Sequence, residues 1–194
     1  MKMRDVPANH NELIHTARYI KSLVYGGLDG IITTFAVVAG VIGASLSANV
    51  ILILGFANLI ADGISMAAGD YLSTKSEIES HTNKNIFRKI TRGKLKSIDR
   101  NRSSIKNAII TFVAFVLFGF IPLLSFVLTF FGLFSGNSFE VSIILTFVSL
   151  FILGSLKSKI TNKGWIKSGM ETLVIGGVAS GIAYYIGYLI SGIV

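Results

Sequence analysis

Four residues at a spacing of four, Asn58, Asp62, Met66 and Asp70, stand inside an apolar run from about Val50 to Leu72. Residues four apart lie above one another on one face of an α-helix. The run is long enough to cross a bilayer. It predicts a spanning helix with one stripe of an amide, two carboxylates and a thioether. A carboxylate at mid-bilayer costs at least ~2.5–3.5 kcal/mol, so a functional site is the default reading of such a residue. Oxygen ligands alone suit Mg²⁺ or Ca²⁺, whereas a thioether favours a softer ion. A carboxylate-plus-Met set is a compromise suited to Fe²⁺, Mn²⁺ or Co²⁺. Carboxylates in a low-dielectric site also exchange protons for cations, which is the chemistry a proton-coupled antiporter requires.

Asp29 stands in the preceding apolar run, about Leu23 to Leu46. The tight turn at Ser47–Asn49 makes these two spans an antiparallel hairpin. At 1.5 Å rise per residue, Asp29 lies ~9 Å inside the face where the first span begins. From the same face Asp70 lies ~6 Å in, Met66 ~12 Å and Asp62 ~18 Å. The expectation is that these donors meet near one face, with Asn58 deeper on the stripe. Plainer readings exist for each. Met66 fills gaps in cores, and Asp62 hydrogen-bonds Asn58 or a backbone group across helices.

The elements that carry these residues follow from composition. The chain has 194 residues, of which 52% are hydrophobic and 14% charged, with a mean hydropathy of +0.68. The fold class is therefore an all-α polytopic membrane protein with one membrane domain. Residues 1–22 form a polar N-terminal segment, in which Asn11 to Tyr19 are expected to make a short interfacial helix. Residues 23–73 are the hairpin, and 74–107 a basic loop that begins by continuing the second helix. Residues 108–194 hold three more spans, near 108–131, 140–156 and 169–193, with Pro122 kinking the first of them. Gly26/Gly30 and Gly177/Gly181 are small-xxx-small pairs that let helices approach closely.

Lysine and arginine concentrate in the N-terminal segment, in 74–107 and in 157–167, while 47–49 and 132–139 have none. Five spans place the three basic segments on one side. The N-terminus is then cytoplasmic and the C-terminus outside or luminal. Positive charge placed this way reads as topology rather than as nucleic-acid binding.

Other donors carry weaker signals. His10, Glu12 and His15, with Glu77 beyond the second span, are candidates for a cytoplasmic metal site, although a solvated, loosely capped helix is the commoner explanation. Glu171, near the start of the fifth span, is a candidate for the pathway or proton route, as are Asp62 and Asn58. Enzyme classes find little support. There is no Cys, no HExxH motif, and no His within a span to pair with a serine nucleophile or ligate haem.

The motifs are similar to a known family. Tyr25-Gly-Gly-Leu-Asp29-Gly-Ile-Ile-Thr-Thr-Phe-Ala-Val-Val-Ala-Gly40 and Gly55-Phe-Ala-Asn-Leu-Ile-Ala-Asp62-Gly-Ile-Ser-Met66-Ala-Ala-Gly-Asp70 resemble the first two spans of the vacuolar iron transporter (VIT, nodulin-21-like) family. Ile121-Pro-Leu-Leu, Leu153-Gly-Ser-Leu-Lys-Ser-Lys and Ser168-Gly-Met-Glu-Thr-Leu resemble its later spans. The resemblance implies a homodimer that moves Fe²⁺, often also Mn²⁺, out of the cytosol in exchange for protons. It implies a path along the dimer interface, lined by residues matching Asp29 and Met66. Family members often insert a glutamate-rich metal-binding domain between spans two and three. Here that segment is short and basic, so this is a short form without it. The family usually has Glu at the position of Asp70 and Asn at that of Leu28.

The expectation is a non-enzymatic divalent-cation transporter with Asp29, Met66 and Asp70 as metal ligands. It has no permanently bound cofactor and carries Fe²⁺ or Mn²⁺, with Co²⁺ and Zn²⁺ as further substrates. Its partners are the cation, protons, the lipid bilayer and a second copy. Lys/Ile/Asn-rich usage and the minimal loop point to a prokaryotic cytoplasmic membrane. A passive cation channel and a non-transporting membrane scaffold stand as alternatives.

Overall fold

The computed structural model describes residues 8–83, 93–161 and 164–193, with side chains for 18–77, 104–158 and 164–193. The helices are α1 (Ala8–Gly43), α2 (Ala48–Asn83), α3 (Gly93–Gly119), α4 (Leu124–Phe130), α5 (Ser138–Thr161) and α6 (Trp165–Ser191). Five segments within them are long and apolar enough to cross a membrane: Arg18–Gly43, Ala48–Glu77, Ser104–Phe130, Ser138–Ser158 and Trp165–Ser191. No strand occurs among the described residues. In hydrocarbon every backbone amide needs a partner inside its own segment, and a helix supplies one.

The first helix differs from expectation. No break separates an interfacial helix from the first span; α1 runs unbroken from Ala8. No proline or glycine stands between Asn9 and Tyr25 to stop it. The expected loop at 74–107 is also largely helical, since α2 continues to Asn83 and α3 starts at Gly93. Most of 157–167 is helical as well. Basic residues propagate a helix well, so charge density marked the membrane boundary rather than the end of the helix.

Helix ends are defined by local bonding. After α1, Ser45 takes a left-handed conformation with φ 57°. The Leu46 amide then donates to Val41 O at 3.1 Å, and that of Ser45 to Ile42 O at 2.9 Å. This Schellman pattern turns the chain into α2 within a few residues. Gly132, at φ +71°, does the same after α4, with the Leu133 amide donating to Leu128 O at 2.9 Å. At Pro122 the third span passes through a 3₁₀ turn, Ile121–Leu123, between α3 and α4, and the Ser142 hydroxyl donates to Pro122 O at 2.7 Å. Asn137 caps α5, its Oδ1 accepting from the amides of Phe139 at 3.1 Å and Glu140 at 3.4 Å.

Helix directions follow from the contacts. A Cβ on Gly26 would meet Thr111 O at 2.7 Å, and one on Gly30 would strike Phe115 O. Both partners advance by four, so α1 and α3 run parallel. Gly43 abuts Tyr184 O, and Gly187 abuts Gly40 O, which seats α6 against the other half of α1. Spans one, three and five thus point one way, and two and four the other. The first span is the most buried of the five and the fifth the least. The largest buried cluster joins the first three spans through Phe35, Val38, Val41, Ile51, Leu59, Phe115, Leu123 and Phe126.

The glycines therefore have partners inside one chain. Gly26 and Gly30 are filled by α3 and give no support to contact with a second copy. Gly69 and Gly181 have open space where a side chain would stand.

Candidate functional site: a cleft and an acidic pair on the second span

A cleft of about 380 Å³ opens between α1, α2 and α3, with Ser22, Met66, Asp70, Asn107 and Thr111 in its lining and Arg18 and Glu77 beside them. Asp70 is held by all three helices. Ser22 Oγ on α1 donates to its Oδ2 at 2.8 Å, and Thr111 Oγ1 on α3 donates to the same oxygen. Thr74 Oγ1, one turn further along α2, donates to Oδ1 at 3.4 Å. Asn107 Nδ2 in turn donates to Thr74 Oγ1 at 3.5 Å. Three hydroxyl donors fix the position of the carboxylate. Ser22, Thr74, Asn107 and Thr111 are all buried.

Met66 has two environments. It lines the cleft beside Asp70 and packs against the apolar core. The gap-filling and the soft-donor readings are both compatible with that placement.

Asp29 and Asp62 make a separate pair. They stand close enough across α1 and α2 for their charges to interact, yet neither lines the cleft. Both are partly exposed. Thr33 Oγ1 donates to the carbonyl of Asp29 at 2.9 Å, not to its carboxylate. Asn58 does not serve Asp62: its Nδ2 is buried and has no hydrogen-bond partner.

The expected meeting of all the donors is thus divided within one chain, with Asp29 near Asp62 and Met66 near Asp70. Among the described residues no three His, Asp or Glu side chains converge as a metal cluster. Glu77 bonds Arg18, Nη2 to Oε1 at 3.5 Å, on the rim of the cleft. Glu171 is exposed near the start of α6. The side chains of His10, Glu12 and His15 lie outside the described ones.

Sequence reasoning passed over Ser22, Thr74, Asn107 and Thr111. The third span carries no ionisable group over residues 108–131. Its contribution is polar and uncharged. Asn107 and Thr111, four apart, were the visible signal.

The model of the VIT family matches this chain over residues 20–90 and 78–188. The chain belongs to the VIT family. It is 30% identical to a vacuolar iron transporter of Toxoplasma gondii over 98% of this chain and 81% of that protein. It is 28% identical to one of Plasmodium berghei, over 96% of this chain and 86% of that protein. It is likewise 28% identical to vacuolar iron transporter 1 of Arabidopsis thaliana, over 91% and 88% respectively. The Toxoplasma comparison runs over 246 positions, which exceeds the 194 residues of this chain by 52. That relative therefore carries residues with no counterpart here. The two stretches of the VIT family match overlap at 78–90, from the last residues of α2 onward.

Proposed function

We propose that the chain is a homodimeric antiporter that exports Fe²⁺, Mn²⁺ or both from the cytosol in exchange for protons, along a path at the dimer interface. The observation that carries this reading is the position of the Asp29–Asp62 pair. Both carboxylates lie within membrane spans and both are partly exposed on the single chain. A carboxylate turned toward lipid is expensive, and in membrane proteins such groups face a bundle interior or a water-filled cavity. The neighbouring face of α2 is exposed and small, with Ala57, Ala61, Ser65, Ala68 and Gly69. Small residues are what let a second backbone come close. A second copy on this face would enclose both carboxylates with Met66 and double the number of donors. That supplies the ligands one chain lacks.

Metal transport also agrees with the relatives, which are named iron transporters. Exchange for protons follows from carboxylate chemistry in a low-dielectric site. The lysine and arginine distribution supports a cytosolic N-terminus, which puts the mouth of the cleft on the cytosolic face. The named relatives are vacuolar and eukaryotic and do not favour the prokaryotic membrane expected from composition, so the reading extends only to a membrane that bounds the cytosol.

The test is Fe²⁺ uptake into inside-out vesicles driven by a pH gradient, with Asp29→Ala and Met66→Ala beside the unaltered chain. Both substitutions should abolish uptake while the chain still folds. Normal transport by both would refute this assignment of the path. A passive channel would pass cation down its own gradient after the proton gradient is collapsed. The scaffold reading has one observation in its favour, since Asp70 does tie three helices together, but that bonding leaves Asp29 and Asp62 unexplained.

A further inference from the structure

The hairpin of α1 and α2 is held differently at its two ends. Next to the turn it is held by apolar burial, with Phe35, Val38 and Val41 of α1 and Ile51 and Leu59 of α2 in one cluster. Toward the other end the cleft parts the two helices, its lining running from Arg18 to Tyr25 on α1 and from Ser65 to Glu77 on α2. There they are joined by polar side chains. Ser22 Oγ donates to Asp70 Oδ2 at 2.8 Å, and Arg18 Nη2 donates to Glu77 Oε1 at 3.5 Å. Arg18 and Ser22 stand one turn apart on α1, so the two bonds are successive rungs. Arg18–Glu77 is the outer one, at the first residue of one membrane segment and the last of the next.

The two kinds of joint differ in what opening requires. Parting an apolar cluster exposes its side chains, whereas exposed polar bonds exchange for water. The Arg18 and Glu77 side chains are 30% and 52% exposed, and they border a cleft lined by hydroxyls, where water can replace either rung. The glycines of the hairpin do not seat one helix on the other. Gly26 and Gly30 abut α3, Gly43 abuts α6, and Gly55 and Gly63 abut Leu123 and Phe112 of the third span. The cleft also stops at a telling depth. It ends at Tyr25 on α1 and at Ser65 and Met66 on α2, and Asp29 and Asp62 stand about one turn further along each helix. The acidic pair therefore lies between the polar cleft and the apolar cluster.

We propose that the cytosolic half of this hairpin is a hinged gate, in which Arg18–Glu77 is the latch and opening extends the cleft by one turn to the Asp29–Asp62 pair. The inference rests on the transport reading and deepens it, because it gives each protomer its own cytosolic approach to that pair. The apolar cluster is the pivot, and α3 stays with α1, on which Gly26 and Gly30 seat it. Opening then also parts Asp70 from Thr111 and Thr74 from Asn107, and these bonds too are polar. A hinge of this kind moves packed helices as rigid bodies about a small region.

The chain has no cysteine, so introduced thiols react alone. Arg18→Cys with Glu77→Cys would be joined by a short bifunctional thiol reagent that dithiothreitol removes, and Fe²⁺ flux measured in both states. Linking should abolish flux and reduction should restore it. Equal flux in the two states overturns the inference, because a passive staple between helices tolerates the link. A second measurement needs no flux. Spin labels on Ile20→Cys and Ser76→Cys, exposed positions of α1 and α2, report the separation of the helix ends by double electron–electron resonance, with labelled chain diluted in unlabelled chain. Adding Arg18→Gln should shift the population toward longer distances. Labels on Ile20→Cys and Lys106→Cys, across α1 and α3, should keep theirs. An unchanged distance between α1 and α2, or equal lengthening of both pairs, overturns the inference. Absence of Fe²⁺ flux in the unaltered chain would instead remove the transport reading, and the distances would still decide whether the hairpin opens.

Discussion

Ser22 of α1 donates its hydroxyl proton to Oδ2 of Asp70 of α2 at 2.8 Å. This bond joins the first two spans at one end of the bundle, where Thr111 brings in the third. The carboxylate is at once a link between helices and part of the lining of a cleft. That double role distinguishes it from Asp29 and Asp62, for which the described residues show a neighbouring charge and no equivalent set of donors.

Replacing Thr111 by Val keeps the shape of the side chain and removes one donor to Asp70. A hydrogen bond to a charged group contributes about 1.5–3 kcal/mol, so Thr111→Val should lower stability by roughly that amount. Thermal unfolding in detergent measures it, and Thr111→Ser should recover most of the loss. Ser22→Ala combined with Thr111→Val should depart from additivity, because the two hydroxyls share one oxygen.

Glycines in the first span should be intolerant wherever α3 fills the space. A side chain at Gly30 would strike the carbonyl of Phe115, and overpacking of this kind costs about 1–3 kcal/mol. Gly30→Leu should therefore lower the melting temperature markedly. Gly181→Ala, which meets nothing within 4 Å, should leave it unchanged within error. Equal tolerance at the two positions would mean that α1 and α3 do not approach as described.

A bulky residue on the exposed face of α2 should separate two copies without unfolding either. Ala61 is exposed on the single chain, so Ala61→Trp disturbs no buried position of the protomer. Size-exclusion chromatography with light scattering should show a dimer for the unaltered chain and a smaller particle for the variant. Metal flux should fall with the loss of dimer. A dimer that survives Ala61→Trp with full flux would place the interface elsewhere.

The five spans were legible because uninterrupted apolar runs of sufficient length have no other stable use in a chain this hydrophobic. The disturbance at Pro122 was legible, though not that it would take the form of a 3₁₀ turn. Helix length beyond the membrane was not legible. Polar and basic residues around Lys21, Lys75 and Lys96 continue a helix without any apolar period to announce it. The stripe on α2 was readable from its spacing, but spacing cannot say that Asp70 accepts hydrogen bonds from Ser22 and Thr111 on two other helices. Depth along a helix was a poor guide to convergence, because α3 packs against both α1 and α2. The pairing of Gly26 with Thr111 was equally hidden, since a glycine records only that something comes close.

Ion flux in reconstituted proteoliposomes tests the central claim most directly. The purified chain would be loaded with Fe²⁺, Mn²⁺, Co²⁺ or Zn²⁺ outside and followed at two proton gradients, with internal pH recorded alongside metal uptake. Uptake of Fe²⁺ or Mn²⁺ should rise with the opposing proton gradient and move protons the other way, and Asp29→Ala should abolish both movements. Metal uptake that persists unchanged when the proton gradient is collapsed, with no countermovement of protons, would contradict the antiport account.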